Sequence, residues 1–209
     1  MKSLVELTIN NFDKENLTNF DSVFRHSNLI KKIDDAEGSI LSNTTNIRLK
    51  KSMPTKTSQL IGYTLATGNG LYNPTDGYNK VNGGITTSTG FYAQGDATNI
   101  QYFDDDGSGN LRRFYLSGAT RIYTDNFAGT VDYSKGKISI NAIMFTSTVN
   151  VDSTIDFTVI PSGNDVVAIR GSLIDISTSD VKVTAEVDTI ASGESSAGVG
   201  YTSTSSSSY

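Results

Sequence analysis

From residue 47 onward apolar positions recur at every second residue in short runs, and Gly, Asn and Asp separate the runs. Alternation of this kind predicts half-buried strands joined by turns. Ile47-Arg48-Leu49-Lys50 begins it, and residues 111–116 continue it after Asp104-Asp105-Asp106-Gly107-Ser108-Gly109. Ser117-Gly118 ends that run, and Arg121-Ile122-Tyr123 follows. The clearest unit is Gly129-Thr130-Val131-Asp132-Tyr133-Ser134-Lys135-Gly136-Lys137-Ile138-Ser139-Ile140. Val131 and Tyr133 alternate before a turn, and Ile138 and Ile140 alternate after it. Tyr133 to Gly136 suits a type I turn with Gly136 in the left-handed conformation, the common bulged hairpin loop.

The first 46 residues have a different texture. Residues 4–9 alternate weakly and predict a lead-in strand. Asp21 or Ser22 can cap a short helix with Val23, Ile30 and Ile33 on one stripe and Phe20 and Phe24 near its start. Asp34-Asp35 and Gly38 break that helix, and a further helical turn to about Asn43 is expected. The fold class is therefore α+β, mainly β, with short N-terminal helices, antiparallel hairpins and a flexible C-terminal arm. Three parts follow: an N-terminal helical segment with lead-in strands over 1–60, a mainly β body over 61–188, and a Ser/Gly-rich arm over 189–209. The arm is nearly pure Ser, Gly and Thr apart from Tyr201 and Tyr209, too little apolar surface to offset its ordering entropy.

Within the body, residues 68–95 stand apart. Gly68-Asn69-Gly70, Asn73-Pro74-Thr75-Asp76-Gly77 and Asn82-Gly83-Gly84 fall close together, which predicts a long loop or tight hairpins. Tyr63, Tyr72, Tyr78, Phe91 and Tyr92 ride on this frame, either as core anchors or as contacts for another protein. No internal repeat of 20–50 residues is visible, which disfavours a solenoid or propeller.

Composition narrows the function. The 209-residue chain carries a formal charge of −5, against nonspecific nucleic-acid binding. Arg48, Lys50, Lys51 and Lys56 cluster locally, as a solvated strand face or a partner-facing patch. There is no Cys, so disulfides, thiolate chemistry and zinc–thiolate sites are absent together. No apolar run reaches the roughly 18–20 residues that span a bilayer, and Glu6 interrupts any signal-peptide core. Asn16-Leu17-Thr18 and Asn43-Thr44-Thr45 match the glycosylation sequon, but without a secretory signal both read as accidents.

Catalytic chemistry finds little to use. His26 is the single histidine, so a nucleophile–base arrangement has one possible base. Asp104, Asp106 and Ser108 fill the first, third and fifth positions of a calcium loop, with Gly109 at its sharp turn. Tyr115 stands where the bidentate Glu belongs, however, and strand texture replaces the exiting helix. An Asp-rich β-turn is the favoured reading. Gly68-x-Gly70 meets Asn73 where a dinucleotide fingerprint needs its third Gly. Twenty-two acidic residues leave a chance glycosidase pair open. We expect no catalytic, cofactor-binding or metal residues, no cofactor, no nucleic-acid partner and no membrane insertion.

A family resemblance rests on ordered motifs. The GTVDYSKGKISIN hairpin, GNLRRFYL, and Phe157-Thr158-Val159-Ile160-Pro161-Ser162-Gly163-Asn164-Asp165-Val166-Val167-Ala168-Ile169-Arg170 resemble the C-terminal part of the inner-ring baseplate wedge subunit of contractile-tailed T-even-type phages. Phe24-Arg25-His26-Ser27, Asp34-Asp35-Ala36-Glu37-Gly38-Ser39-Ile40-Leu41-Ser42-Asn43 and Ile47-Arg48-Leu49 are similar to it too, so the resemblance spans roughly residues 20–190. Family members are usually much longer, and these 209 residues are expected to correspond to their C-terminal part. The resemblance implies a structural, non-enzymatic subunit of the virion tail baseplate, assembled in the host cytoplasm. It implies association with itself, as a homodimer or larger, and with other wedge proteins in a ring around the tail tube. A receptor-binding or tail-fibre module recognising host surface glycan is the alternative, and a cell-wall hydrolase stands third.

Overall fold

The computed structural model describes residues 1–78 and 84–187. The 189–209 arm and the Asn82-Gly83 part of a predicted turn lie outside the described residues. Among the described residues two α-helices, α1 (Lys2–Asn16) and α2 (His26–Asp34), and a short 3-10 turn (Thr178–Asp180) accompany eleven strands. These are β1 (Val23–Phe24), β2 (Leu49–Pro54), β3 (Leu60–Ala66), β4 (Thr86–Ser88), β5 (Phe91–Ala93) and β6 (Asp96–Asp105). They continue with β7 (Asn110–Ser117), β8 (Thr120–Asp132), β9 (Lys137–Thr148), β10 (Thr154–Val159) and β11 (Val166–Val167). Every pairing is antiparallel. The fold is thus mainly β, as the alternation predicts, with two helices at its N-terminal end.

Nine strands form one sheet, ordered β2-β10-β4-β6-β5-β9-β8-β7, with β3 on β9 and β7 returning to pair β6. Its core follows the period-two pattern: Ile155, Phe157 and Val159 of β10 point inward, as do Ile138 and Ile140 of β9. Four rings make the centre. Phe91 stacks on Phe103 at 4.6 Å and meets Phe145 edge-on at 5.1 Å, while Phe103 lies 5.9 Å from Phe157. Each ring taken out of water contributes about 1.5–3 kcal/mol, so this quartet anchors the body.

The predicted hairpin is present. β8 and β9 pair from Gly129–Ile140 to Asp132–Lys137, with Val131, Ile138 and Ile140 buried and Tyr133 half-buried against the core. Gly136 has φ +60°. The separate Arg121-Ile122-Tyr123 run is the start of the same strand, because bulges near Arg113 let β8 bend and continue.

A second core holds the N-terminal region, and here two local expectations change. Residues 4–9 are helical, because the apolar spacing continues through Val5, Ile9 and Phe12 on one buried face of α1. A six-residue window could not separate this period from alternation. Asp21 and Ser22 do not cap α2. The chain stays extended through β1, which pairs β11, and α2 begins only at His26 with Leu29 and Ile33 buried. No second helical turn reaches Asn43. Its Nδ2 instead donates to Ile30 O at 3.3 Å and Asp34 Oδ1 at 2.7 Å, tying the extended segment to the end of α2.

Val166 completes this second core, with Ile174, Ile176, Val181 and Val183 packed on it. Ile176 N–H also donates to Asp13 Oδ1 at 2.8 Å. The N-terminal elements are therefore closed by chain from the far end of the sequence.

Candidate functional site

The Asp-rich turn that most resembles a metal loop lies between β6 and β7. In strand geometry successive side chains point to opposite faces, so its three carboxylates separate. Asp104 is fully buried. Its Oδ1 accepts from Arg112 Nε at 2.9 Å, and its Oδ2 accepts from Arg121 Nη1 and the Tyr123 hydroxyl, each at 2.8 Å. Burial pushes the Asp104 carboxyl above the usual carboxylate range, against the opposing pull of Tyr123 and both arginines.

Asp105 faces the other way. Its Oδ1 accepts from Thr86 N–H at 2.9 Å and its Oδ2 from the Tyr133 hydroxyl at 2.7 Å. Burial, then this hydrogen bond, raises the Tyr133 phenol far above its ordinary value. Asp106 shapes the turn itself: Oδ1 accepts from Ser108 N–H at 2.8 Å and Asn110 N–H at 3.0 Å, and Oδ2 from Asn110 Nδ2 at 2.7 Å. Gly107 and Gly109 supply positive φ. The segment is the Asp-rich β-turn of the favoured reading. Its carboxylates lock β4, β7, β8 and the hairpin to β6, and they do not converge.

The rings around Asp104 form a ladder on one sheet face. Tyr102 stacks on Phe114 at 5.6 Å, Phe114 meets Tyr123 at 5.6 Å, and the Arg112 guanidinium lies 4.3 Å above Tyr123. Arg121 covers Phe114 at 4.8 Å. Such cation–π contacts orient the same guanidiniums that Asp104 binds. The sequence offered Arg112-Arg113 and Arg121 without any sign that they converge on one carboxyl.

His26 takes a scaffold position. Its ring Nε2 lies 3.0 Å from Thr45 O, and its backbone N–H donates to Asp165 Oδ1 at 3.0 Å. Asp165 Oδ2 also accepts from Arg25 Nη1 at 2.7 Å. Asp165 thus caps α2 from 139 residues away, a role that sequence spacing could not reveal.

That cap predicts an acid sensitivity. The Arg25 hydrogen bond, then the His26 N–H, holds the Asp165 carboxyl below its ordinary range. Asp132, which accepts from the Ser134 hydroxyl and the Lys135 N–H in the hairpin turn, is lowered to about 2. A carboxyl whose folded pKa lies below its unfolded value of about 3.9 contributes stability that is complete at neutral pH. That contribution is lost as pH falls through the folded value. Urea denaturation should therefore show the protein weakening between about pH 4 and pH 2. Asp165→Asn should weaken it at pH 7 and flatten the acid loss; an unchanged acid profile in the variant would remove Asp165 from this role.

The remaining sequence candidates divide. Lys50 pairs with Asp180 at 3.1 Å and Asp156 at 3.7 Å, and the Asp180 hydrogen bond is the main cause of its raised pKa. Lys51 lies half-buried on the Leu49–Met53 side of β2, while Arg48 and Lys56 are exposed. Among the aromatics, Phe91 is core and Tyr63 packs against it with its hydroxyl accepting from Lys56 N–H. Tyr92 is half-buried, and Tyr72 and Tyr78 form an exposed edge-to-face pair at 5.9 Å. Among the described residues no helix is long and apolar enough to cross a membrane.

Comparison with known families agrees with the N-terminal motifs, while the hairpin and the later motifs lie outside the matched stretch. Residues 1–52 match the family described as baseplate structural protein gp6, C-terminal domain III. The resemblance to the baseplate wedge proteins of T-even-type phages is thereby borne out over this stretch. The match covers α1, β1, α2 and the first residues of β2, the elements of the second core. No curated protein matches the chain.

Proposed function

We propose that this chain, similar over residues 1–52 to a baseplate structural protein, is a structural subunit of a phage tail baseplate wedge. It associates with itself and with other wedge proteins in the ring around the tail tube, is assembled in the host cytoplasm, and turns nothing over. The family match carries the reading. The buried carboxylates support it: Asp104 and Asp105 hold strands together by hydrogen bonds and face opposite ways, an arrangement suited to rigidity and unsuited to acid–base catalysis.

The decisive experiment is peptide mass spectrometry on purified virions and on detached tails. The chain should be found in both, in fixed ratio to the other baseplate proteins. Its absence from intact virions would end the proposal. Among the described residues the exposed Tyr72–Tyr78 pair favours the alternative glycan-binding module, since sugars stack on exposed rings. In that case the isolated protein should bind host cells and lose binding with Tyr72→Ala; a baseplate subunit should ignore them.

A further inference from the structure

We infer that β3 is a docking edge whose occupant is the β3 strand of a second copy, paired antiparallel across a twofold axis. In the nine-stranded sheet, β2 and β3 are the two strands with a single neighbour each. They are built in opposite ways. β2 carries Lys50 outward, Lys51 on its inward row, and Pro54 at its end. Charges on an edge, inward-pointing charges and Pro are the devices that keep a sheet from extending. β3 reads Leu60-Ile61-Gly62-Tyr63-Thr64-Leu65-Ala66, seven residues with no charge and no Pro.

The hydrogen-bond phase shows what that edge offers. Thr67 N–H donates to Gly136 O, so alternation turns the amides of Tyr63 and Leu65 toward β9 and those of Thr64 and Ala66 away from it. No other described strand pairs with that side. Ile61, Tyr63 and Leu65 point inward, while Leu60, Gly62, Thr64 and Ala66 are exposed, with Leu60 at 65%. The outward row is small and neutral beyond Leu60, so a second strand can approach without a steric or like-charge obstacle.

A copy of the same strand fits best for a reason of closure. Pairing in which each protomer offers the same patch uses up both unguarded edges at once and stops. A foreign strand would leave its own outer edge open. The register centred on Thr64 sets Thr64 opposite itself and Gly62 opposite Ala66, joining outward-facing groups only; a Thr–Thr pair is favourable across strands. Seven residues a side bury well under the about 1,600 Å² of a standard interface. The pair is therefore weak alone and gains from the high local concentration of an assembly. This inference rests on the assembly reading above but fails separately from it, because virion content does not depend on β3.

The test is hydrogen exchange and sedimentation of the full chain over a concentration series. The Thr64 and Ala66 amides should exchange freely at high dilution and become protected as dimer forms, while Leu65 stays protected throughout. Thr64→Pro removes one outward donor per protomer, a position where an edge tolerates Pro. Thr64→Lys keeps the backbone and adds like charges across the axis. Each should weaken the dimer about tenfold or more, as expected for two symmetry-related hydrogen bonds. Should Thr64→Pro fail to fold, Thr64→Lys decides alone. Three results would overturn the inference: a wild-type chain that stays monomeric, a Thr64→Lys variant that dimerises like wild type, or Thr64 protection that is independent of concentration. If that last protection disappears in a chain ending at Asp188, the edge is covered by the chain itself.

Discussion

Asp104→Ala should lower stability by about 3–5 kcal/mol, the cost of removing one partner from a buried ion pair. The magnitude follows from what remains. Arg112 is 6% exposed and would keep its charge with the Asp105 carbonyl as one remaining acceptor, at 3.0 Å. Arg121 and the Tyr123 hydroxyl would lose the same carboxyl oxygen. For a chain of this size the loss corresponds to about 10 °C in melting temperature. Asp106→Ala removes only hydrogen bonds within a half-buried turn and should cost about 1–2 kcal/mol. Calcium should leave the melting temperature of the wild type unchanged. A calcium-dependent rise abolished by both substitutions would restore the metal-loop reading, and equal losses for the two variants would contradict the division of labour among the three carboxylates.

Gly136→Val should be nearly as damaging, at about 3 kcal/mol or more. Two independent penalties fall on this position. Its φ of +60° is a conformation that a β-branched residue adopts only under strain. A Cβ there would also run into the Asn69 carbonyl and the Thr67 hydroxyl. Those atoms cannot easily move aside, because the Thr67 hydroxyl bonds Asn69 O at 2.8 Å and the Asn69 side chain bonds both ways with Val167. Lys137→Gln, one residue along and exposed, should stay within about 0.5 kcal/mol. Equal melting temperatures for the two variants would show that the turn does not depend on Gly136.

The sequence alone was sufficient where the signal is local. Period-two alternation with Gly136 at the turn located the β8–β9 hairpin, since the turn residue and the flanking apolar positions act within a dozen residues. Alternation from Leu111, closed by Ser117-Gly118, located β7 for the same reason. The family resemblance rested on the order of motifs along the chain, from the hairpin and residues 157–170 to those around Arg25 and Ile47, and only the last two lie inside the matched residues 1–52. Local signals failed where two periods overlap: Leu4 to Ile9 fits a strand and a helix equally, and only burial of Phe12 beside Phe24, rings 6.0 Å apart, chooses the helix.

Other properties exist only in the tertiary fold, because their cause is long-range pairing. Asp165 caps α2 because β1 and β11 pair and bring the two chain regions together. Three adjacent aspartates do three different things because the strand pleat turns Asp104 and Asp105 to opposite faces, while Asp106 falls in the turn. Arg112 and Arg121 converge on Asp104 because β6, β7 and β8 pair in sequence. The contrast between a guarded β2 and a bare β3 likewise has no local signature. Which strands lack a neighbour is a property of the whole sheet, and composition gains its meaning as protection or invitation only after that order is known.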